Sequence, residues 1–247
     1  TGLKKKKEHK ELLAQVGKAY GVQPRFILAF WGLETNYGSY TGNNDIVRSL
    51  ATLAFDKRRG EYFRKELFNA LIILDQGHIA LKDMKGSWSG AMGQGQFMPS
   101  SFLAYAQDFD GDGKKDIWHN QADVFASIAN YLKHFGWSDQ QTWGRQVTLP
   151  QNASNWLESV KADKPEKGCR ALRAHTAKLS LSRWNELGVR RLNKQKLPLV
   201  SLNATLTLPD GVNGPAFLTY PNFRTILRYN CANSYAITVG LLSDKLK

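Results

Sequence analysis

The apolar residues of this chain change their period part-way along, and that change limits the folds open to it. From Leu3 to Trp137 they recur every three or four positions with few β-branched runs, the spacing of helices that bury one face. Leu12, Leu13, Val16 and Tyr20 form one stripe, closed by Gly21. Pro24 opens a second helix, where its missing N–H is harmless, and that helix is expected to run toward Asn36 before Gly38. Phe63, Leu67, Leu71 and Leu74 mark a third, Pro99 to Tyr105 a fourth, and Val124, Ile128, Leu132 and Phe135 a fifth that stops at Gly136. Beyond Trp143 the pattern shortens. Val147–Leu149, Leu199–Leu202, Ala204–Leu208 and Ala216–Tyr220 read as strands, broken by Pro209-Asp210-Gly211 and Gly214-Pro215, before Tyr235–Leu246 returns to helical spacing.

These periods predict a mainly α (α+β) chain in three parts. Residues 1–145 form an α-helical region, 146–228 a small β-rich accessory region, and 229–247 a C-terminal helix packing back on the first region. The length of 247 residues fits one large domain or two small ones, and 42% hydrophobic residues supply a sizeable core. The longest apolar clusters, such as Phe26–Trp31, fall short of the roughly 18 residues a membrane span requires. The chain opens at Thr1 without a charged segment followed by an apolar stretch, so a signal peptide either never existed or was removed before this numbering.

Charge narrows the partners. Lys and Arg number 34 against 21 Asp and Glu, a net +13 that favours a polyanionic partner or surface. Nucleic acid is the first rival, but Lys57, Arg58, Arg59, Arg190, Arg191, Lys194 and Lys196 are scattered. No zinc-finger spacing or RNA-binding aromatic signature accompanies them, and no nucleic-acid partner is expected. Lys4–Lys7 reads as a solvated helix start. Cys169 and Cys231 fit either a disulfide or two buried thiols, and neither belongs to a Cys-x-x-Cys pair.

The most informative single residue is Glu34. Ile27, Phe30 and Trp31 precede it by seven, four and three positions, so it projects from an apolar helix face. It also falls in the last turn, near the negative end of the helix dipole. Desolvation and that dipole both disfavour a carboxylate, so its pKa is expected to be raised, as suits a general acid. A buried Glu satisfied by hydrogen bonds or a basic partner is the structural alternative.

Two segments carry a resemblance. Trp31-Gly-Leu-Glu34-Thr-Asn-Tyr-Gly38 is followed by Ser87-Trp-Ser-Gly90-Ala-Met-Gly93-Gln-Gly95-Gln96-Phe-Met-Pro99-Ser-Ser101. Together they closely resemble the lytic murein transglycosylase B family, densely over residues 21–137 and again over 222–242. The resemblance implies a lysozyme-like catalytic core and cleavage of the MurNAc-β-1,4-GlcNAc bond of peptidoglycan without water, leaving a 1,6-anhydroMurNAc end. It makes Glu34 the only essential catalytic carboxyl and places Ser87, Gln96, Tyr229, Asn230 and Tyr235 on the substrate. Gly90, Gly93 and Gly95 would then let backbone approach a sugar closely. It further implies a monomer in the periplasm of a Gram-negative bacterium, with an outer-membrane lipid anchor in an absent segment as one form. Peptidoglycan glycan strands are the partner, joined by cell-wall synthesis or remodelling proteins.

Asp108, Asp110, Asp112 and Gly113 occupy the first, third, fifth and sixth positions of a calcium EF-hand loop, with the Lys114 carbonyl seventh and Asp116 ninth. The twelfth position is His119 rather than Glu, which leaves closure to Asp123. The related enzymes hold structural Ca2+ in a similar loop, and no organic cofactor is expected. Sodium or magnesium in the loop, or an Asp-Gly turn that only caps helices, stays open. Three rival functions also remain. A hydrolytic muramidase would need a second carboxylate, for which Asp45 and Asp56 are available without a supporting motif. The others are a catalytically inactive peptidoglycan-binding protein and a calcium sensor.

Overall fold

Helices account for most of the first half of the chain in the computed structural model, which describes residues 1–162 and 168–247. These form two compact units, Thr1–His134 with Leu242–Lys247, and Phe135–Leu241. The division at His134/Phe135 precedes the 145/146 boundary read from the sequence. The accessory range 146–228 also includes residues 163–167, which lie outside the described ones.

The first unit holds α1 (Gly2–Glu8), α2 (Lys10–Tyr20), α3 (Pro24–Thr35), α4 (Ile46–Ala54), α5 (Gly60–Asp75), α6 (Pro99–Tyr105) and α7 (Gln121–His134). Sequence signals set several ends: Gly21 caps α2 in the left-handed conformation, and Pro24 and Pro99 stand in the first turns of α3 and α6. Phe26 to Trp31 are all buried, so α3 is apolar all round rather than on one stripe. Helix α2 packs on α7 and α3, while α5 packs on α4 and α6. Two short strands, β1 (Asn44–Asp45) and β2 (Lys85–Gly86), pair antiparallel.

The third helical stripe is corrected by one face. Helix α5 buries Phe63, Glu66, Ala70 and Ile73, leaving Leu71 exposed and Leu67 half-buried. Glu66 faces inward because α6 offers it donors. Its carboxylate accepts from the Ser100 amide at 2.8 Å and the Ser100 hydroxyl at 2.6 Å, in the first turn of that helix. A carboxylate on a helix N-terminus satisfies amides that have no partner within the helix.

The second unit is built on an antiparallel sheet in the order β4-β6-β7-β3-β5. Its strands are β3 (Gly144–Thr148), β4 (Leu179–Ser180), β5 (Arg190–Arg191), β6 (Asn203–Thr207) and β7 (Ala216–Thr219). Leu206 on β6 faces Leu218 on β7, and Val147 on β3 faces Ala216. With Trp184, Leu181 and Val189 these residues make the unit's apolar core. The expected strand at Leu199–Leu202 is absent: this segment is irregular, with Leu199 and Val200 exposed. The region is also less purely β than expected, since it carries the helices α8 (Ser154–Leu157), α9 (Leu181–Glu186) and α10 (Pro221–Tyr229).

Cys169 and Cys231 form a disulfide across a separation of 62 residues. Beside it, Asn233 donates from Nδ2 to the Ala171 carbonyl at 3.0 Å and accepts on Oδ1 from His175 Nε2 at 2.9 Å. Helix α11 (Asn233–Lys245) divides at Leu241/Leu242 between the two units. Within the second unit Gly240 lets α11 lie directly on the Trp143 indole, which a Cβ would strike. Within the first, Asp244 receives Arg25 at 2.8 Å. Only the final residues of the last helix therefore belong with the α-helical unit.

Candidate active site

Glu34 stands in the last turn of α3 and is half-buried. The turn that follows is strained: Asn36, Tyr37 and Gly38 have φ of 48°, 60° and 78°. Only Gly adopts that region freely, and another residue costs about 1–2 kcal/mol there. The contacts around the turn offset that cost. The Asn36 amide reaches the Gly32 carbonyl at 3.0 Å, the Tyr37 amide the Trp31 carbonyl at 3.2 Å, and the Gly38 amide Thr35 Oγ1 at 3.1 Å. Gly32 leaves room for the Tyr37 ring, since a Cβ there would lie 2.7 Å from Tyr37 Cζ. The Trp31 indole meets Tyr37, Phe125 and His9 edge-on, with centroids 5.4, 5.0 and 5.5 Å away.

The glycine-rich segment is a folded loop in its own right. Ser87 Oγ accepts from the Ala91 amide at 3.0 Å and shares a hydrogen with Ser89 Oγ at 3.1 Å. Gln96 adopts a positive φ of 51°, and its Nε2 donates to the carbonyls of Thr41 at 3.1 Å and Gly93 at 2.9 Å. Ser87 and Gln96 are half-buried. Two of the glycines leave room for packing: a Cβ on Gly90 would meet Leu50, and one on Gly93 would meet Ile117. Trp88, at 69%, is the most exposed tryptophan among the described residues, and Tyr40 reaches 71%.

Between Gly93 and Gly95 lies Gln94, buried at 6% exposure, which the sequence did not single out. Its Oε1 accepts from Trp31 Nε1 at 2.7 Å and Gln121 Nε2 at 2.9 Å, and its Nε2 donates to the Trp118 carbonyl at 2.8 Å. Its backbone carbonyl accepts from Thr35 Oγ1 at 2.9 Å, and its amide donates to the Ile117 carbonyl at 2.8 Å.

In the acidic loop, Asp108, Asp110 and Asp123 bring one carboxylate oxygen each within 4.8 Å of one another. Asp123 is buried, and that burial pushes its carboxyl up to about 6, against the pull of the Phe109 and Asp116 amides that it accepts and with a smaller push from Asp110 and Asp108. Asp112 and Asp116 are not brought into this cluster. Asp112 accepts from the Lys114 amide at 2.8 Å, and Asp116 accepts from the Trp118 and His119 amides, both at 2.9 Å. Of the carboxylates considered for a hydrolase, Asp45 caps α4. The Arg48 amide, then the Lys85 charge, hold it below the ordinary carboxylate range. Asp56 accepts from the Arg58 amide at 2.7 Å.

The arrangement can be set against known proteins. The chain matches the family described as Transglycosylase SLT domain over residues 1–244. It belongs to the SLT transglycosylase family. It is 35% identical over 238 residues to membrane-bound lytic murein transglycosylase B of Escherichia coli K12, covering 96% of this chain and 60% of that protein. It is 42% identical, with a TM-score of 0.87, to SltB3 from Pseudomonas aeruginosa in complex with NAG-anhNAM-pentapeptide, over 99% of this chain and 62% of that one. The Escherichia coli lytic transglycosylase Slt35 in complex with calcium is 32% identical with a TM-score of 0.78, over 99% of this chain and 72% of that one. The chain therefore spans about three fifths of the length of the first two. Its fold is the lysozyme-like α+β fold of these transglycosylases.

Within this SLT domain the residues read from sequence fall into two groups. Glu34, Ser87, Gln96 and the acidic loop belong to the first unit. Tyr229 at the end of α10, Asn230 after it and Tyr235 in α11 belong to the second, where both tyrosines are half-buried and Asn230 is exposed. Gln94 and Glu66 went unread because their roles depend on partners distant in sequence. A Gln between two glycines and a Glu among charged neighbours carry no local signal.

Proposed function

We propose that this chain is a lytic transglycosylase that cleaves the MurNAc-β-1,4-GlcNAc bond of peptidoglycan, with Glu34 as acid and then base. The observation that carries the reading is similarity over nearly the whole chain to a protein solved with an anhydromuramyl peptide. Glu34, protonated, donates to the glycosidic oxygen as the C1–O bond breaks. The carboxylate then takes the proton of the C6 hydroxyl of the same MurNAc, whose oxygen bonds to C1. Glu34 recovers its proton, and no water is consumed. Ser87, Gln96, Tyr229, Asn230 and Tyr235 are the proposed sugar contacts. A hydroxyl or amide can bond sugar hydroxyl and acetamido groups, and aromatic faces suit pyranose rings.

Asp108, Asp110 and Asp123 fit a Ca2+ ion. Oxygens on opposite sides of a Ca2+ ion lie roughly 5 Å apart, and a cation would offset the burial and the neighbouring Asp110 and Asp108 charges that disfavour the Asp123 carboxylate. The Lys114 carbonyl, Asp112 and Asp116 would assist through adjustment of the loop or through water. Bound Ca2+ would balance the charge of the acidic loop. The disulfide and the substrate both suit the periplasm, an oxidising compartment. The net charge of +13 suits an anionic cell envelope, with recruitment by cell-wall remodelling proteins.

The test is mass analysis of products from purified peptidoglycan. Fragments ending in anhydroMurNAc, lighter by one water than hydrolytic products, are expected. Reducing MurNAc ends would make the chain a muramidase, and no release with glycan binding retained would make it a binding protein. Because Trp88 sits in the Ser87 turn and is so exposed, its fluorescence should report glycan binding in the Glu34→Gln protein.

A further inference from the structure

We propose that Gln94 is a positioning residue that couples the acidic loop to Glu34. The proposal rests on the assignment of Glu34 above. Trp31 and Thr35 lie three residues before and one residue after Glu34. Both are tied to Gln94, Trp31 through its indole to the side-chain oxygen at 2.7 Å and Thr35 through its hydroxyl to the main-chain carbonyl at 2.9 Å. The last turn of α3 is thus gripped on both sides of Glu34 by one residue of another segment. From the opposite direction, Gln94 is held by the acidic loop. Asp116 accepts from the Trp118 amide, and Trp118 in turn offers its carbonyl to Gln94 Nε2. The Asp116 amide donates to Asp123 on α7, two residues after Gln121, whose amide meets Gln94 Oε1. Both routes out of the loop end on the same carboxamide.

The carboxamide has one workable orientation. Its oxygen uses both acceptor sites, on Trp31 and Gln121, while its nitrogen faces a carbonyl. Flipped, it would set the Trp31 N–H against its NH2 group and the Trp118 carbonyl against its oxygen. It also has little space to move, because Gly38 approaches so closely that a Cβ there would collide with Gln94 Oε1. A displacement of Trp118 or Gln121 is therefore passed through the carboxamide to Trp31 rather than absorbed, while Thr35 holds the main-chain carbonyl of the same residue. Glutamate would keep the two acceptances but repel the Trp118 carbonyl. Methionine would keep the volume and lose all three side-chain bonds.

The experiment combines a mutant cycle with a signal that does not depend on turnover. Asp116→Ala, Gln94→Met and the double variant are compared with the starting protein in kcat, KM and the indole 1H–15N resonance of Trp31, identified by Trp31→Phe. Each single change should lower kcat about tenfold or more with KM within about twofold. The double variant should be no slower than Gln94→Met alone, because the route through the carboxamide is already cut. Asp116→Ala should shift the Trp31 indole resonance while Gln94 is present and not when methionine replaces it. Multiplying losses in the double variant, a loss confined to KM, or a Trp31 resonance indifferent to Asp116→Ala would each overturn the proposal. The last of these needs only Asp116→Ala to fold, so it decides the matter even if Gln94→Met does not. A Glu34→Gln protein run alongside separates the two readings, since near-normal activity there defeats the assignment of Glu34 and leaves the Trp31 resonance to judge the coupling.

Discussion

The two units solve the problem of a stable interior differently. In the first, apolar helices surround a polar knot: Gln94 with Trp31, Thr35, Trp118 and Gln121, and Glu66 on the start of α6. In the second, a sheet and short helices enclose an apolar cluster, with buried hydroxyls of Thr205, Thr207 and Thr219 bonded to one another and Asn222 bonded to Ser138 and Gln141. There the Cys169–Cys231 bridge and the His175–Asn233 bond hold chain segments that are distant in sequence. A satisfied buried polar group specifies one arrangement, because each alternative leaves a donor or acceptor without a partner. A disulfide does so by limiting the unfolded chain. Satisfied buried polar groups thus specify both units, and the second adds a covalent link between segments distant in sequence.

That contrast can be broken by experiment. Glu34→Gln should produce the largest effect, a loss of activity of about a thousandfold or more from removal of one general acid, with the melting temperature nearly unchanged. Release of soluble fragments from cell walls measures the first and calorimetry the second, and a large loss of stability would show that Glu34 also belongs to the structural knot. Replacing both cysteines by serine should cost about 4 kcal/mol for a loop of this length, read from denaturant unfolding. The loss should fall on the second unit, so the environment of Trp31 in the first should be unaltered under native conditions.

Calcium provides a smaller test, and it belongs to the helical unit. At a hundred times its Kd the ion should stabilise the protein by about 2.7 kcal/mol over the chelated form. An unchanged melting temperature would remove the proposed site. Ser100→Ala takes one donor from the buried Glu66 carboxylate and should cost about 1–3 kcal/mol in chemical unfolding, with the backbone bond to Ser100 retained.

The smallest effect is a pH dependence in the second unit. Burial, with a minor push from Arg224, holds the His175 imidazole below its usual value, opposed by its bond to Asn233. The unfolded chain then binds a proton near pH 6.5 that the folded chain refuses. This contribution to stability is complete above that pH and is lost as the pH falls toward the lower folded value, at no more than one proton. Melting temperatures from pH 7.5 to 5 should show a shallower acid slope for His175→Gln. Equal slopes would mean that His175 is not what the bridge region protects.

Much of the helical unit was legible because its signals are local. Pro24, Gly21, Pro99 and Gly136 mark ends through backbone geometry alone, and Glu34 stood out because a carboxylate three residues after a buried tryptophan breaks the helical pattern. The sheet was less legible. Leu199–Leu202 has the composition of a strand, and Leu202 accepts from the Leu181 amide at 3.0 Å, but among the described residues the segment joins no ladder, and a strand exists only where a neighbour supplies its repeating hydrogen bonds. Helix α5 illustrates a different limit: its leucines suggested the inward face, whereas Glu66 turns inward because the start of α6 gives it donors.

The sequence by itself determined the helical character of the first half, the approximate limits of α3, α6 and α7, the family motifs around Glu34 and Ser87, and the spaced aspartates of the acidic loop. Each of these is a property of a few neighbouring residues. Only the tertiary structure decided that Cys169 meets Cys231, that Asp123 rather than Asp112 joins Asp108 and Asp110, that Gly90 packs on Leu50 and Gly93 on Ile117, and that Gln94 stands between the acidic loop and the last turn of α3. Such pairings depend on which distant groups a fold brings within hydrogen-bonding reach, and a linear pattern carries no record of that distance.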